Sequence, residues 1–439
     1  MSLSGILDAV RRQASYRRLV ETVRSGGPNP VVLDPLDGAK PYLVAALWRD
    51  LGRPLLWLLP GPDDARAAFD HVAPYLPTPG DAETGRSFVF LFPEPDSLPY
   101  ERLASDATTS RDRLGALAAL AESKGGAMTS PLAKEVHGRP TAGGRPLVEL
   151  QGSIRPDFAP LIIASGHAAI QTTLPPEVMQ EAAYTLRLGD SFVIEDAARR
   201  WVDLGYEAVP AVEFPGSFSR RGGIIDVWSP GSDSPARIEL FGPEIESLRL
   251  FDPATQRSFD NVESISITAA RELLPSLMPS GPTSIDRSTM DAGDPGGFLQ
   301  DLARLAEGAL FPGSEFFSPM FQSTTLLDHL PAETVVVIDR PARLHVALTE
   351  LAARGDEIRS GQVERGALPG NFPSPLASID GFERSLGDVP RRVHLDPFSA
   401  GAGLAEDDAV PRFGSLGFDA PDSYGGQIPR LAQDIRRAR

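Results

Sequence analysis

Between residues 221 and 258 apolar and polar positions alternate in short blocks. After Arg221-Gly222-Gly223 comes Ile224-Ile225-Asp226-Val227-Trp228, then Pro235-Ala236-Arg237-Ile238-Glu239-Leu240-Phe241, then residues 244–252 leading into Thr255-Gln256-Arg257-Ser258. A period of two with Gly or Pro at each break predicts successive antiparallel strands that share one apolar face. Arg221, Arg237 and Arg249 then fall near strand starts or on the exposed face of one small sheet. An arginine there has a plain use, which is to solvate the face and guard an edge.

The flanking regions have a different rhythm. Residues 31–33, 54–59 and 87–92 are short apolar runs, and 41–51, 63–75 and 108–120 have helical spacing. Pro41 suits a first helical turn, and Asp63 or Asp64 suits a cap. Strands alternating with helices predict a parallel sheet covered on both faces. A buried strand resumes at 161–163, after a Gly- and Pro-containing insertion at 123–159. A helix at 194–204 accompanies the antiparallel strands. Residues 280–297 have loop composition, followed by helix 297–308, strand 335–338 and helix 342–354. Residues 366–375 and 398–408 are of low complexity, and 428–439 have the spacing of an amphipathic helix.

The predicted fold class is therefore α/β, with a parallel-sheet domain in two chain segments interrupted by a small α+β antiparallel domain. The segments are 1–183 and 269–385, and the inserted domain is 184–268. Residues 386–439 are expected to be a linker and the start of a partial third α/β domain, opening near Arg391. This arrangement requires residues 31–33 and 335–338 to lie in one sheet.

Composition narrows the chemistry. At 439 residues the chain is long enough for about three units of ~150 residues each. It has no cysteine, which excludes disulfides and thiolate metal sites. Its six histidines, His71, His137, His167, His329, His345 and His394, show no ligand spacing. No apolar run of about 18 residues is present, so no membrane partner is expected and a cytoplasmic location is the simplest reading. A formal net charge of −17 argues against unaided gripping of duplex DNA. Arg11, Arg12, Arg17, Arg18 and Arg24 read as a solvated helix face. Gly-x-Ser-x-Gly, His-Glu-x-x-His and a cysteine nucleophile are all missing, so no catalytic residue is assigned.

The wording of the strand blocks, Arg-Gly-Gly-Ile-Ile-Asp, Arg-Ile-Glu-Leu-Phe and Glu-Ser-Leu-Arg-Leu-Phe-Asp, resembles the transcription-repair coupling factor family (Mfd) in its UvrB-like N-terminal module. Leu98-Pro99-Tyr100-Glu101 with Arg111, Arg113 and Leu114, and later Gly313-Ser314-Glu315-Phe316-Phe317-Ser318-Pro319 with Leu330-Pro331, resemble further segments of that module. The likeness covers most of residues 30–435. It implies a P-loop-type fold, and a chain that looks like the N-terminal part of a longer protein.

That fold raises the question of ATP. A working loop needs Gly-x-x-x-x-Gly-Lys-Ser/Thr, so that backbone amides wrap phosphate and a hydroxyl holds Mg²⁺. The corresponding residues are Asp34-Pro35-Leu36-Asp37-Gly38-Ala39-Lys40-Pro41. Only Lys40 fits. Asp34 and Ala39 replace the two glycines, Pro41 has no hydroxyl, and Gly38 does not restore the pattern. Asp339 ends a strand, but Arg340 follows it where an acidic base is expected. The site is expected to be inactive, with Lys40 a surface lysine and no cofactor in this segment. ATP and Mg²⁺ would belong to the motor of the parent protein.

The resemblance further implies a contact with UvrA through Arg221, Arg237 and Phe241, and contacts with RNA polymerase and DNA through the remainder of the parent. Phe241 ends an alternating strand, so a core position is the other reading. Two alternative functions are an ATP-dependent UvrB-like helicase or translocase and a UvrB-like paralogue without a motor.

Overall fold

The computed structural model describes residues 4–27, 29–33, 35–76, 88–124, 159–278, 285–291, 297–396 and 410–414, with 416, 418, 428, 432 and 433 beyond them. Helix α1 (Ala14–Ser25) buries Tyr16, Leu19, Val20 and Val23, one stripe at helical spacing. It stops at Gly26, whose φ of 68° lies in the left-handed region that glycine enters without steric cost. Strand β1 (Val31–Leu33) leads to α2 (Lys40–Leu51), with Pro41 in its first turn. Strand β2 (Leu55–Leu59) is buried at every position. Helix α3 (Pro62–Val72) corrects the expected cap: its N-cap is Gly61, and Asp63 and Asp64 lie inside the first turn. There they favour the helix through its dipole rather than by capping. Strand β3 (Val89–Phe92) precedes α4 (Ala107–Ser123), which Asp106 caps by accepting from the Thr108 amide at 2.7 Å. Strand β4 (Leu161–Ser165) runs into the short helices α5 (Gly166–Ala169) and α6 (Pro176–Ala182). Of the expected insertion, residues 125–158 lie outside the described residues.

The inserted domain opens with β5 (Tyr184–Arg187) and α7 (Ile194–Asp203). Next come β6 (Glu207–Ala208), β7 (Ser217–Arg221), β8 (Ile224–Trp228), β9 (Ala236–Phe241), β10 (Glu244–Phe251), β11 (Ser258–Asn261) and β12 (Ser264–Ile267). Six of them form a sheet in the order β11-β10-β9-β8-β7-β6, and β12 pairs with β5 separately. Alternation gives the faces of β7 to β9, and in β10 a bulge between Ile245 and Ser247 brings Ile245 and Leu248, of opposite parity, to the same side. Phe218, Ile225, Val227, Ile238, Ile245 and Leu248 are buried on one side, and the Trp201 ring of α7 meets Phe218 at 5.5 Å. Trp201 is fully buried and donates its Nε1–H to the Tyr184 hydroxyl at 2.6 Å, which satisfies its polar edge.

The two domains meet at α4. Arg113 is buried, donates to Glu272 (Nη2 to Oε2, 2.9 Å) and to the Pro93 carbonyl at 2.7 Å, and lies 4.2 Å over the Phe92 ring. Gly115 packs toward the Pro230 carbonyl and Gly231 toward Ala118 across this junction.

The chain then returns through α8 (Phe298–Ala306), β13 (Val335–Asp339), α9 (Pro341–Glu364), α10 (Ile379–Asp388), β14 (Arg391–Asp396) and β15 (Arg412–Phe413). The large sheet has the order β15-β1-β14-β13-β2-β4-β3, with every pairing parallel. Strands β1 and β13 share it, as the two-segment reading requires. The expected opening of a third domain near Arg391 needs correction. Strand β14 lies between β1 and β13, so a boundary at 385 would cut one sheet in two. The sequence signal is weak there because Arg391, Arg392 and His394 interrupt a strand whose buried positions are only Val393 and Leu395. Residues 397–409 and most of the expected helix at 428–439 lie outside the described residues.

One buried group ties this fold to pH. His329 is 2% exposed, and its Nε2 lies 2.8 Å from the Leu174 carbonyl and 3.2 Å from Thr173 Oγ1. Burial pushes its pKa down to about 4. Unfolded histidine titrates near 6.5, so between the two values the unfolded chain binds a proton that the folded chain refuses. Stability is therefore full above pH ~6.5 and is lost as pH falls toward ~4, by about 3 kcal/mol in total. Urea titrations at several pH values should show a steeper loss of stability toward acid in wild type than in His329→Gln; equal slopes would refute it.

Candidate functional site

The outward face of the six-stranded sheet carries the residues singled out in sequence. Strand register aligns Ser219, Asp226, Arg237, Arg249 and Asn261 in one row, and Arg221, Ile224, Glu239 and Ser247 in the next. Residues directly opposite share a face, and so do residues two apart on a strand. Arg221, Arg237 and Phe241 therefore lie on one face. Phe241 is 77% exposed, which excludes the core reading.

The three side chains are held very differently. Arg221 is exposed, and its Nη2 donates to the Pro210 carbonyl at 3.3 Å. Arg249 donates to Glu239 at 2.8 Å. Arg237 makes a two-point contact with Asp226, Nε to Oδ1 at 2.8 Å and Nη2 to Oδ2 at 2.9 Å, and lies 4.7 Å over the Phe251 ring. Its Nη1 reaches the Gln256 carbonyl at 3.3 Å. Only 17% of the Arg237 side chain remains open, against 2% for Asp226. Sequence reasoning missed Asp226 and Gln256. The signal for Asp226 was present: in a hairpin around the break at 229–235 it falls opposite Arg237.

At the C-terminal edge of the large sheet, Lys40, at the start of α2, is enclosed by carboxylates. Lys40, expected at the surface, is 2% exposed, which is a correction. Its Nζ lies 2.7 Å from Asp339, itself 1% exposed, and 2.7 Å from the exposed Asp37. Arg340 completes the group, with Nη2 3.5 Å from Asp37 and Nε 3.6 Å from Asp339. A buried ammonium demands a partner, and here the carboxylates of Asp339 and Asp37 supply it. Burial pushes the Asp339 carboxyl above its ordinary range, and the Lys40 charge offsets this only in part. The Lys40 hydrogen bond pulls Asp37 below its ordinary range. Gly38 lies in the short turn Asp37–Ala39 and Pro41 in the first turn of α2; Asp34 lies outside the described residues. Among the described residues no cluster of His, Asp and Glu suited to a metal is found, and no helix is long and apolar enough to cross a membrane.

A cleft of about 270 Å³ opens where the two domains meet, lined by Tyr100, Arg111, Phe214, Phe316 and Phe372 among others. Its deeper charges are paired, Arg113 with Glu272 and Arg271 with Glu315.

Residues 184–273 match the UvrB interaction domain family. The transcription-repair-coupling factor of Myxococcus xanthus is 31% identical over 270 residues, covering 61% of this chain and 19% of the relative. That of Bacillus subtilis is 32% identical over 226 residues, covering 48% and 19%. That of Mycobacterium tuberculosis is 28% identical over 381 residues, covering 83% and 27%. The chain resembles the N-terminal, UvrB-like region of transcription-repair coupling factors, and its matches span about a fifth to a quarter of those relatives' length.

Proposed function

We propose that this chain is a recruiting module that binds UvrA, linking stalled RNA polymerase to nucleotide excision repair, with no ATP turnover of its own. The observation that supports this best is the outer face of the inserted sheet, which an exposed Phe241 shares with Arg221 and the anchored Arg237. Aromatic and arginine side chains are the commonest anchors of protein interfaces. Contacts with RNA polymerase, translocation on DNA and the use of ATP belong, on this reading, to other parts of coupling-factor proteins.

Calorimetry of the purified chain with UvrA, without nucleotide, tests the proposal. Saturable binding is expected, and none would overturn it. A parallel titration with Mg-ATP should give no heat of binding, because Lys40 is committed to Asp339 and Pro41 offers no hydroxyl. Micromolar ATP binding would instead favour the helicase or translocase alternative.

A further inference from the structure

We infer that Asp226 is a positioning residue of the partner-binding face, one that fixes the Arg237 fork and cancels its charge; the inference rests on the UvrA-binding reading. Asp226 is 1% exposed although it sits on the outward side of its strand. It is covered because Arg237 lies across it, spending Nε–H and one Nη2–H on its two oxygens. A third N–H, on Nη1, goes to Gln256, whose own Nε2 donates to the carbonyls of Val212 at 3.0 Å and Pro253 at 2.7 Å. Phe251 supports the guanidinium plane from below. A guanidinium has five N–H donors, so two remain, one on each terminal nitrogen, and their direction is set before any partner arrives.

Arg237 and Arg221 therefore present different chemistry. Arg237 with Asp226 is a neutral pair offering fixed donors, which suits an uncharged acceptor such as a backbone or amide carbonyl. Arg249 is likewise matched by Glu239. Arg221 is the arginine of this face that has no carboxylate partner among the described residues, so it suits a partner carboxylate. On this account the salt dependence of binding comes from Arg221, and Asp226 keeps Arg237 out of it.

The test is UvrA binding by wild type, Asp226→Asn and the double variant Asp226→Leu/Arg237→Met, measured between about 50 and 300 mM salt, where screening lengths shrink. Asp226→Asn leaves the Arg237 charge unmatched and its fork loose. Its affinity should fall about tenfold or more at the high-salt end and depend more steeply on salt than that of wild type. The double variant replaces a buried ion pair by apolar groups, so it should melt at or above the wild-type temperature. It should nevertheless bind more weakly, with the wild-type salt slope. If Asp226→Asn fails to fold, the double variant decides alone. Wild-type affinity in the double variant, or wild-type affinity and slope in Asp226→Asn, would overturn the inference while leaving UvrA binding intact. Absence of binding by wild type itself would instead defeat the underlying reading, and the inference with it.

Discussion

Lys40→Met should cost about 3–5 kcal/mol of folding stability, because it leaves Asp339 buried and charged with its principal cation gone. Asp339 is 1% exposed and Lys40 2%, so water cannot take over either role. Arg340, 3.6 Å away, keeps some compensation, which places the loss toward the lower end of that range. Asp339→Ala should be destabilising for the mirror reason, since it leaves the buried Lys40 ammonium with only Asp37, which is itself 75% exposed to water. The double variant Lys40→Met/Asp339→Leu removes both charges, and it should come within about 1 kcal/mol of wild type or exceed it. The pH dependence has a definite sign. The folded pKa of Asp339 lies above its unfolded value, so the folded chain holds the proton more tightly. Its contribution to stability is greatest below the unfolded pKa and declines as pH rises through the folded one. Lys40→Met should steepen that decline, and the double variant should abolish it. Urea melts at pH 5 and 8 on the four proteins provide the measurement. Additive losses in the double variant would show that the two groups are not a coupled pair, and that the cradle owes its closure to something else.

The same pair shows where sequence was sufficient and where it was not. That residues 34–41 lack the glycine spacing and the hydroxyl of a phosphate loop was readable from sequence, because such a loop is a local pattern. The fate of Lys40 was not visible, since its partner is 299 residues away and is brought to it only by β13 lying in the same sheet as β1. Alternation in β8 and β9 predicted which side chains point outward, because a strand's period is fixed by backbone geometry; in β10 a bulge after Ile245 breaks that period, and no residue pattern announces it. It did not show that Asp226, outward by period, is covered by Arg237. Strand β14 escaped for a similar reason. Its polar residues read as a break, whereas its place in the sheet comes from backbone pairing to both neighbours.

Phe241→Ala and Arg221→Ala are each expected to weaken UvrA binding by roughly 1–3 kcal/mol, as truncation of an interface anchor does. Both side chains are exposed, so melting temperatures should stay at the wild-type value. Arg237→Ala belongs to a different class. It strips the cover from Asp226 and strands a buried carboxylate, so it should lower stability as well as affinity. A loss of binding in that variant alone therefore proves nothing about contact, and the informative comparison is with the two exposed positions. Arg249 makes a poor reference, because it sits opposite Arg237 on the same face. Arg199, 77% exposed on the helix that covers the opposite side of the sheet, is the better one, and Arg199→Ala should leave binding unchanged. Calorimetry with melting curves on the four variants separates the outcomes. Wild-type affinity in both Phe241→Ala and Arg221→Ala would remove this face from the interface. Equal weakening by Arg199→Ala would mean that binding depends on diffuse charge rather than on a built surface.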